Sequence, residues 1–239
     1  MCTLTWESFP GGYELHFNRD ESRKRAKADP PKLRIDAGLS IISPRDPQAG
    51  GTWVSLNQAG LSLCLLNNYS AARQFQGTKS RGLLVQALSE AQDIEEVRSL
   101  FASLNVTEYS PFDLFVFSPS QSTLQLSWDG NIFSEKTTSE PFASSSGFDP
   151  IAVIASRHRQ YLDRGKLSLA DFHRSHSPSR SAYSVCTHRS DAKTQSYTRI
   201  RVDDARCDFW YSDGSPCEAQ LSEPISIPRL GSFPTQLAQ

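Results

Sequence analysis

The stretch Cys2-Thr3-Leu4-Thr5-Trp6-Glu7-Ser8-Phe9-Pro10-Gly11-Gly12-Tyr13-Glu14-Leu15-His16-Phe17-Asn18-Arg19-Asp20-Glu21 decides how this chain folds. Residues Thr3 to Phe9 have the composition of a strand, and Pro10-Gly11-Gly12 is a strong turn signal. Tyr13 to Phe17 alternates aromatic or apolar residues with Glu14 and His16, the period of a returning strand. A turn centred near Gly11 makes cross-strand partners sum to about 22. That register places Cys2 opposite Arg19 and Asp20, within a residue or two. A guanidinium there would favour the thiolate, and Asp20 would hold an ammonium or position Arg19. A small residue at position 2 permits removal of Met1, leaving Cys2 with a thiol and a free α-amine. With a reference pKa near ~8, that amine can serve as the thiol's base. The alternative is an incidental cysteine beside an exposed Arg19-Asp20 pair of little energetic weight.

Outward from the hairpin, composition sets the bounds. The chain has 239 residues, 38% of them hydrophobic, enough for one large domain or two small ones. A net charge of −1 gives no global field favouring nucleic acid or a membrane surface. No run approaches the roughly 18 apolar residues a membrane helix needs. Cys2, Cys64, Cys186, Cys207 and Cys217 are scattered and contain no C-x-x-C pair, which argues against structural zinc. Together with the lack of a signal-peptide pattern, they point to a reducing cytoplasm.

The basic stretch from Arg23 to Pro31 is flanked by Glu21, Asp29 and Asp36 and is expected to be a solvated loop. Gly50-Gly51-Thr52-Trp53 turns into a strand through Leu56, Asn57 to Gly60 is a turn, and Leu61 to Leu66 is a strand buried on both faces. Trp53 either lines a ligand pocket or packs at a strand end. Ser80 to Ala91 carries a helical apolar stripe. Asp93 caps a second helix, with Glu96 completing a capping-box pattern. Strands are expected at Phe112 to Phe117 and Thr123 to Trp128, then a serine-rich loop from Ala143 to Gly147. A third helix starts with Asp149 as N-cap and Pro150 in its first turn, and a short fourth follows near Ser168. Tyr183 to Thr187, Gln195 to Val202 and Ala205 to Tyr211 complete the strands. Residues 1–220 form one domain, and 221–239, with three prolines, an extended tail. This order favours helices outside two stacked sheets over a parallel doubly wound sheet, which needs regular alternation and a glycine-rich phosphate loop.

Several of these segments occur in the order of a known family: Met1-Cys2, Asn18-Arg19-Asp20-Glu21, Gly50-Gly51-Thr52-Trp53, a strand ending in Asn68-Tyr69, Ser80-Arg81-Gly82 opening a helix, and Tyr109 through Phe117. In them the chain resembles the NRDE family, also called the transport and Golgi organisation family, which is named for that tetrapeptide. The resemblance implies an α+β fold, a four-layer αββα sandwich of two antiparallel sheets flanked by helices, like that of the N-terminal-nucleophile hydrolases. It implies Cys2 as nucleophile, Arg19 and Asp20 in support, and Asn68 as oxyanion donor for cleavage of a non-peptide amide in a small molecule. Two segments depart from the family pattern. Ser144-Ser145-Ser146 stands where Ser-Asn-Ser is expected, so Ser145 replaces an amide donor. Cys186-Thr187-His188 stands where Gly-Thr-Arg is expected, so His188 would substitute for the arginine or a bulge would restore Arg189, since a one-residue shift reverses the face of a strand.

The resemblance also carries a non-enzymatic alternative, haem binding and intracellular haem trafficking, with haem as a ligand and no cofactor required; an interaction protein with an inactive site is the third reading. His173 and His176 have a metal-ligand spacing, but Arg174 between them favours a solvated face and no metal site is expected. Tyr161 and Phe172 are expected in the core.

Overall fold

The computed structural model describes residues 2–71 and 74–231. Alternation in the opening hairpin is what allows it to serve two layers at once. Strand β1 (Cys2–Phe9) turns at Gly11, with φ of 79°, into β2 (Gly12–Ser22). Leu4, Trp6, Tyr13, Leu15 and Phe17 point to one face and are buried between two sheets. Thr3, Thr5, His16 and Asn18 point to the other and are also buried, under helices. A strand covered on both sides cannot slip by one residue without exchanging its apolar and polar faces.

The first sheet has the order β10-β1-β2-β11-β12-β13, adding β10 (Phe142–Ser145), β11 (Ala192–Val202), β12 (Arg206–Ser212) and β13 (Ile225–Pro228). The second runs in sequence order from β3 (Asp29–Asp36) and β4 (Leu39–Arg45) through β5 (Val54–Asn57), β6 (Ser62–Asn67) and β7 (Phe112–Ser118) to β8 (Gln121–Trp128) and β9 (Phe133–Thr137). All pairings of named strands are antiparallel. Helices α1 (Arg81–Leu88) and α2 (Ile94–Ala102) bury Leu84, Leu88, Val97 and Phe101 on the outer face of the second sheet. Helices α3 (Pro150–Leu162) and α4 (Leu169–Arg174) cover the first, where Tyr161 and Phe172 pack with Phe142. The result is the expected αββα sandwich. Among the described residues, no helix is long and apolar enough to cross a membrane.

The caps follow the sequence. Asp93 accepts from the Glu96 N–H at 2.8 Å, and Asp149 caps α3 with Pro150 in its first turn. Other segments differ from expectation. The end of the basic loop, from Asp29 to Pro31, opens β3, whose Leu33 and Ile35 stay exposed at the sheet edge. The serine run belongs to β10, because Cys2 and Thr3 need a partner strand on their free side. Residues 183–187 form no strand: their carbonyls and hydroxyls bond side chains of other elements, including Asn18 Nδ2 to the Val185 carbonyl at 3.1 Å. Ile225–Pro228, placed in the tail, pairs with β12; residues 232–239 lie outside the described residues.

On the outer face of the first sheet, Glu14 joins β2 to β11 by bonds from Arg199 at 2.9 and 3.0 Å. Burial alone would raise its pKa, but the hydrogen bonds from His16 and Arg199 outweigh it and bring it down to about 2. A depressed carboxyl stabilises the fold above its unfolded value and loses that contribution as pH falls through the folded value. Stability should therefore decline between pH 4.5 and about 2. Glu14→Gln should flatten that part of a urea-denaturation pH series, by on the order of 3 kcal/mol at most.

Candidate active site

Cys2 occupies one place in a row running across the first sheet. Its partner on β2 is Arg19 and its partner on β10 is Ser145. Directly opposed residues share a face, with Cβ atoms about 5 Å apart. Local hairpin geometry therefore places the guanidinium beside the thiol, as the turn signal implied. Ser145 is buried, and its Oγ has no hydrogen-bond partner among the described residues. Burial pushes the Cys2 thiol up; Arg19 pulls it down without cancelling the effect. The resting thiol is accordingly protonated, and the expected thiolate needs a base to form. Met1, whose removal would free that base, lies outside the described residues.

Cys2 and Arg19 border a cleft of about 240 Å³. Its far wall is built where two glycine-containing segments meet backbone to backbone. Thr52 N–H donates to the Gly82 carbonyl at 3.1 Å, and a Cβ on Gly51 would lie 2.3 Å from the Gly82 carbonyl carbon. This contact aligns Gly50-Gly51-Thr52-Trp53 with Ser80-Arg81-Gly82. Trp53 lines the cleft, with the Arg19 guanidinium 4.2 Å above its ring and its own Nε1 buried without a partner among the described residues. Arg81 also lines it and donates to the Pro111 carbonyl at 2.9 Å. Gly51→Ala should cost about 2 kcal/mol, because backbone rather than a movable side chain must give way; equilibrium unfolding measures this.

The carboxylate on Arg19 is Asp46, at 3.2 Å, with Glu21 at 3.6 Å. Asp46 also binds Arg25 at 2.7 Å and accepts from the N–H groups of Gln48 and Ala49. Sequence reading missed it, although Asp46-Pro47 is an Asx-turn signal. Asp20, expected to position Arg19 or hold an ammonium, has its carboxylate on the helix side, because successive residues of a strand face opposite ways. It accepts from Thr194 Oγ1 at 2.7 Å and Thr187 Oγ1 at 3.0 Å, and pairs with Arg157 of α3 at 3.2 Å. Asp20 and Arg157 have side-chain exposures of 0%. Arg157 also donates to Thr3 Oγ1, Ser144 Oγ and the Ala182 carbonyl. It lies on the apolar-patterned α3, where nothing in the sequence marks it out.

The remaining expected residues are spread around this centre. Asn68 follows the last residue of β6, its N–H on the Pro111 carbonyl; its neighbour Asn67 lines the cleft and donates from Nδ2 to the Tyr69 hydroxyl. Arg189 lies over Phe148 and pairs with Asp191, lining an adjoining cavity that shares Asp20, Glu21 and Tyr69 with the cleft. His188 turns the other way, toward Cys186 and Cys217. His173 is not solvated: it is fully buried, its Nε2 2.9 Å from Thr5 Oγ1, because α4 lies flat on the hairpin.

Replacing Arg157 by Met removes a cation from a fully buried carboxylate. The expected cost is about 3–5 kcal/mol, and Asp20→Asn in the same chain should recover part of it. Denaturation of the single and double variants checks the coupling.

The chain matches the Transport and Golgi organisation 2 family model over residues 1–197. No curated protein matches it by sequence. Among solved structures it is similar to a C2A variant of conjugated bile acid hydrolase from Clostridium perfringens, with a TM-score of 0.58 and 9% identity over 93% of this chain and 92% of the other. Penicillin V acylase from Agrobacterium tumefaciens gives 0.57 and 11% over 92% and 84%. A Caenorhabditis elegans orthologue of N-acylethanolamine-hydrolyzing acid amidase gives 0.53 and 10% over 84% and 92%. At these identities the likeness is one of fold. The family model spans most of the chain, which belongs to the Transport and Golgi organisation 2 family.

Proposed function

We propose that the protein is a cysteine N-terminal-nucleophile hydrolase that cleaves a carbon–nitrogen amide bond in a small molecule. The observation that carries this reading is the pairing of Cys2 with Arg19 at the edge of the cleft. Support comes from the fold it shares with proteins named as a bile acid hydrolase, an acylase and an acid amidase. After Met1 is removed, the Cys2 α-amine takes the thiol proton as sulfur attacks the acyl carbon. A carbon–sulfur bond forms and the carbonyl electron pair moves to oxygen. Collapse breaks the carbon–nitrogen bond, and the amine product leaves with the proton. Water, deprotonated by the same α-amine, then cleaves the thioester.

Arg19 supplies positive charge beside the sulfur, and the Asp46 and Glu21 carboxylates hold it there. For the oxyanion we assign Asn68. Asn68 is the residue the family resemblance marks for this role, and it follows β6 directly, next to Asn67 of the cleft lining. Asn67 has its amide engaged by Tyr69. Asn68→Ala should therefore lower kcat by about 100- to 1000-fold, while Asn67→Ala has a much smaller effect.

The test is a panel of N-acyl amides together with an acylating, substrate-like probe mapped by mass spectrometry. Intact mass should show loss of Met1, and Cys2 should label ahead of Cys64, Cys186, Cys207 and Cys217. kcat/KM should rise with pH through about 8, since the base must be unprotonated. Retention of Met1, or activity that survives Cys2→Ala, would sink the mechanism.

A further inference from the structure

Away from the cleft, two half-buried histidines, one buried cysteine and one half-buried cysteine converge from three segments. His176 follows α4, Cys186 and His188 lie in the irregular stretch before β11, and Cys217 lies in the turn after β12. Cys186 and His188 are two apart in the chain, and their side chains meet. The Cys186 Sγ is 3.5 Å from His188 Nε2 and 3.5 Å from the Cys217 Sγ, and the His188 Nε2 is 3.2 Å from the Cys217 Sγ. One ligand atom from each of the four residues lies within 4.8 Å of all the others. The His176 Nε2 is buried and has no hydrogen-bond partner among the described residues. A buried ring nitrogen left this way calls for an explanation.

We propose that His176, Cys186, His188 and Cys217 form a structural zinc site. A tetrahedral ion with metal–sulfur bonds near 2.3 Å and metal–nitrogen bonds near 2.0 Å separates its ligand atoms by about 3.3–3.8 Å. The three separations among Cys186, His188 and Cys217 fall in or beside that interval, and His176 stands within 4.8 Å of them. The donor set fits zinc chemically: two thiols lose their protons on binding, and two thiolates with two imidazoles leave the site neutral. With all four positions taken by protein, no place remains for a reacting water, so the role is structural.

The site would also reach the support beneath Cys2. Thr187 stands between two ligands, faces the opposite way, and donates to Asp20 while accepting from Arg157. Fixing Cys186 and His188 fixes Thr187. This inference does not depend on amide hydrolysis.

The full chain, purified under reducing conditions without chelator, should carry about one zinc per chain by elemental mass spectrometry. His176→Ala and Cys217→Ser should each lose most of it while keeping the wild-type circular dichroism spectrum. Should either variant fail to fold, cobalt exchanged into the wild type gives an independent reading: thiolate-to-cobalt charge transfer and tetrahedral d–d bands are expected. Chelator should lower the melting temperature of the wild type and leave His176→Ala unchanged. A reduced protein that takes up neither zinc nor cobalt overturns the proposal. So does zinc retained equally by both variants, a different metal bound stoichiometrically in its place, or a Cys186–Cys217 disulfide in peptide maps of the reduced preparation.

Discussion

A carboxylate and a guanidinium with no exposed side-chain surface meet on the helix side of the first sheet, and much of the molecule is arranged to satisfy them. Buried charge is tolerated only where its hydrogen bonds are met by the protein. Among the described residues, Asp20 and Arg157 draw theirs from Thr3 on β1, Ser144 on β10, Ala182 and Thr187 in the irregular segment, and Thr194 on β11, with only the Arg157 Nε left without a partner there. Strands β1, β2, β10 and β11, helix α3 and the stretch before β11 are thereby tied to one point. The Cys2 strand lies directly above it.

The Asn-Arg-Asp-Glu tetrapeptide makes sense in these terms. Alternation divides it between two jobs. Asn18 and Asp20 face the helices, where Asn18 donates to the His173 and Val185 carbonyls and Asp20 holds Arg157. Arg19 and Glu21 face the cleft and pair with each other. One short run thus anchors the outer layer and charges the inner one. The glycines of the cleft wall show the same economy of space. Gly51 and Gly82 are needed because two backbones touch, and that contact sets the position of Trp53 against Arg19.

Where sequence reading succeeded, the determinants lay close together. The hairpin partner of Cys2 followed from a turn only a strand's length away, and the caps of α2 and α3 followed from residues within one helical turn. The serine run was harder. Ser144 and Ser145 look like a loop until β1 is seen to require a neighbour, and then Ser145 falls beside Cys2. Tyr183 to Thr187 reads as a strand by composition, but its polar groups are spent on Arg157, Asn18 and Asp20.

Periodicity, turn chemistry and motif order thus specified the antiparallel hairpin, the layering of helices on sheets and the family, since each depends on residues adjacent in the chain or on the order of segments. Folding in three dimensions alone brought Asp46 to Arg19, Arg157 to Asp20, and His176 and Cys217 to Cys186 and His188. Those partners come from distant segments with no local pattern linking them. They meet because burying complementary faces of the two sheets and their helices takes these polar groups away from water and brings them within reach of one another.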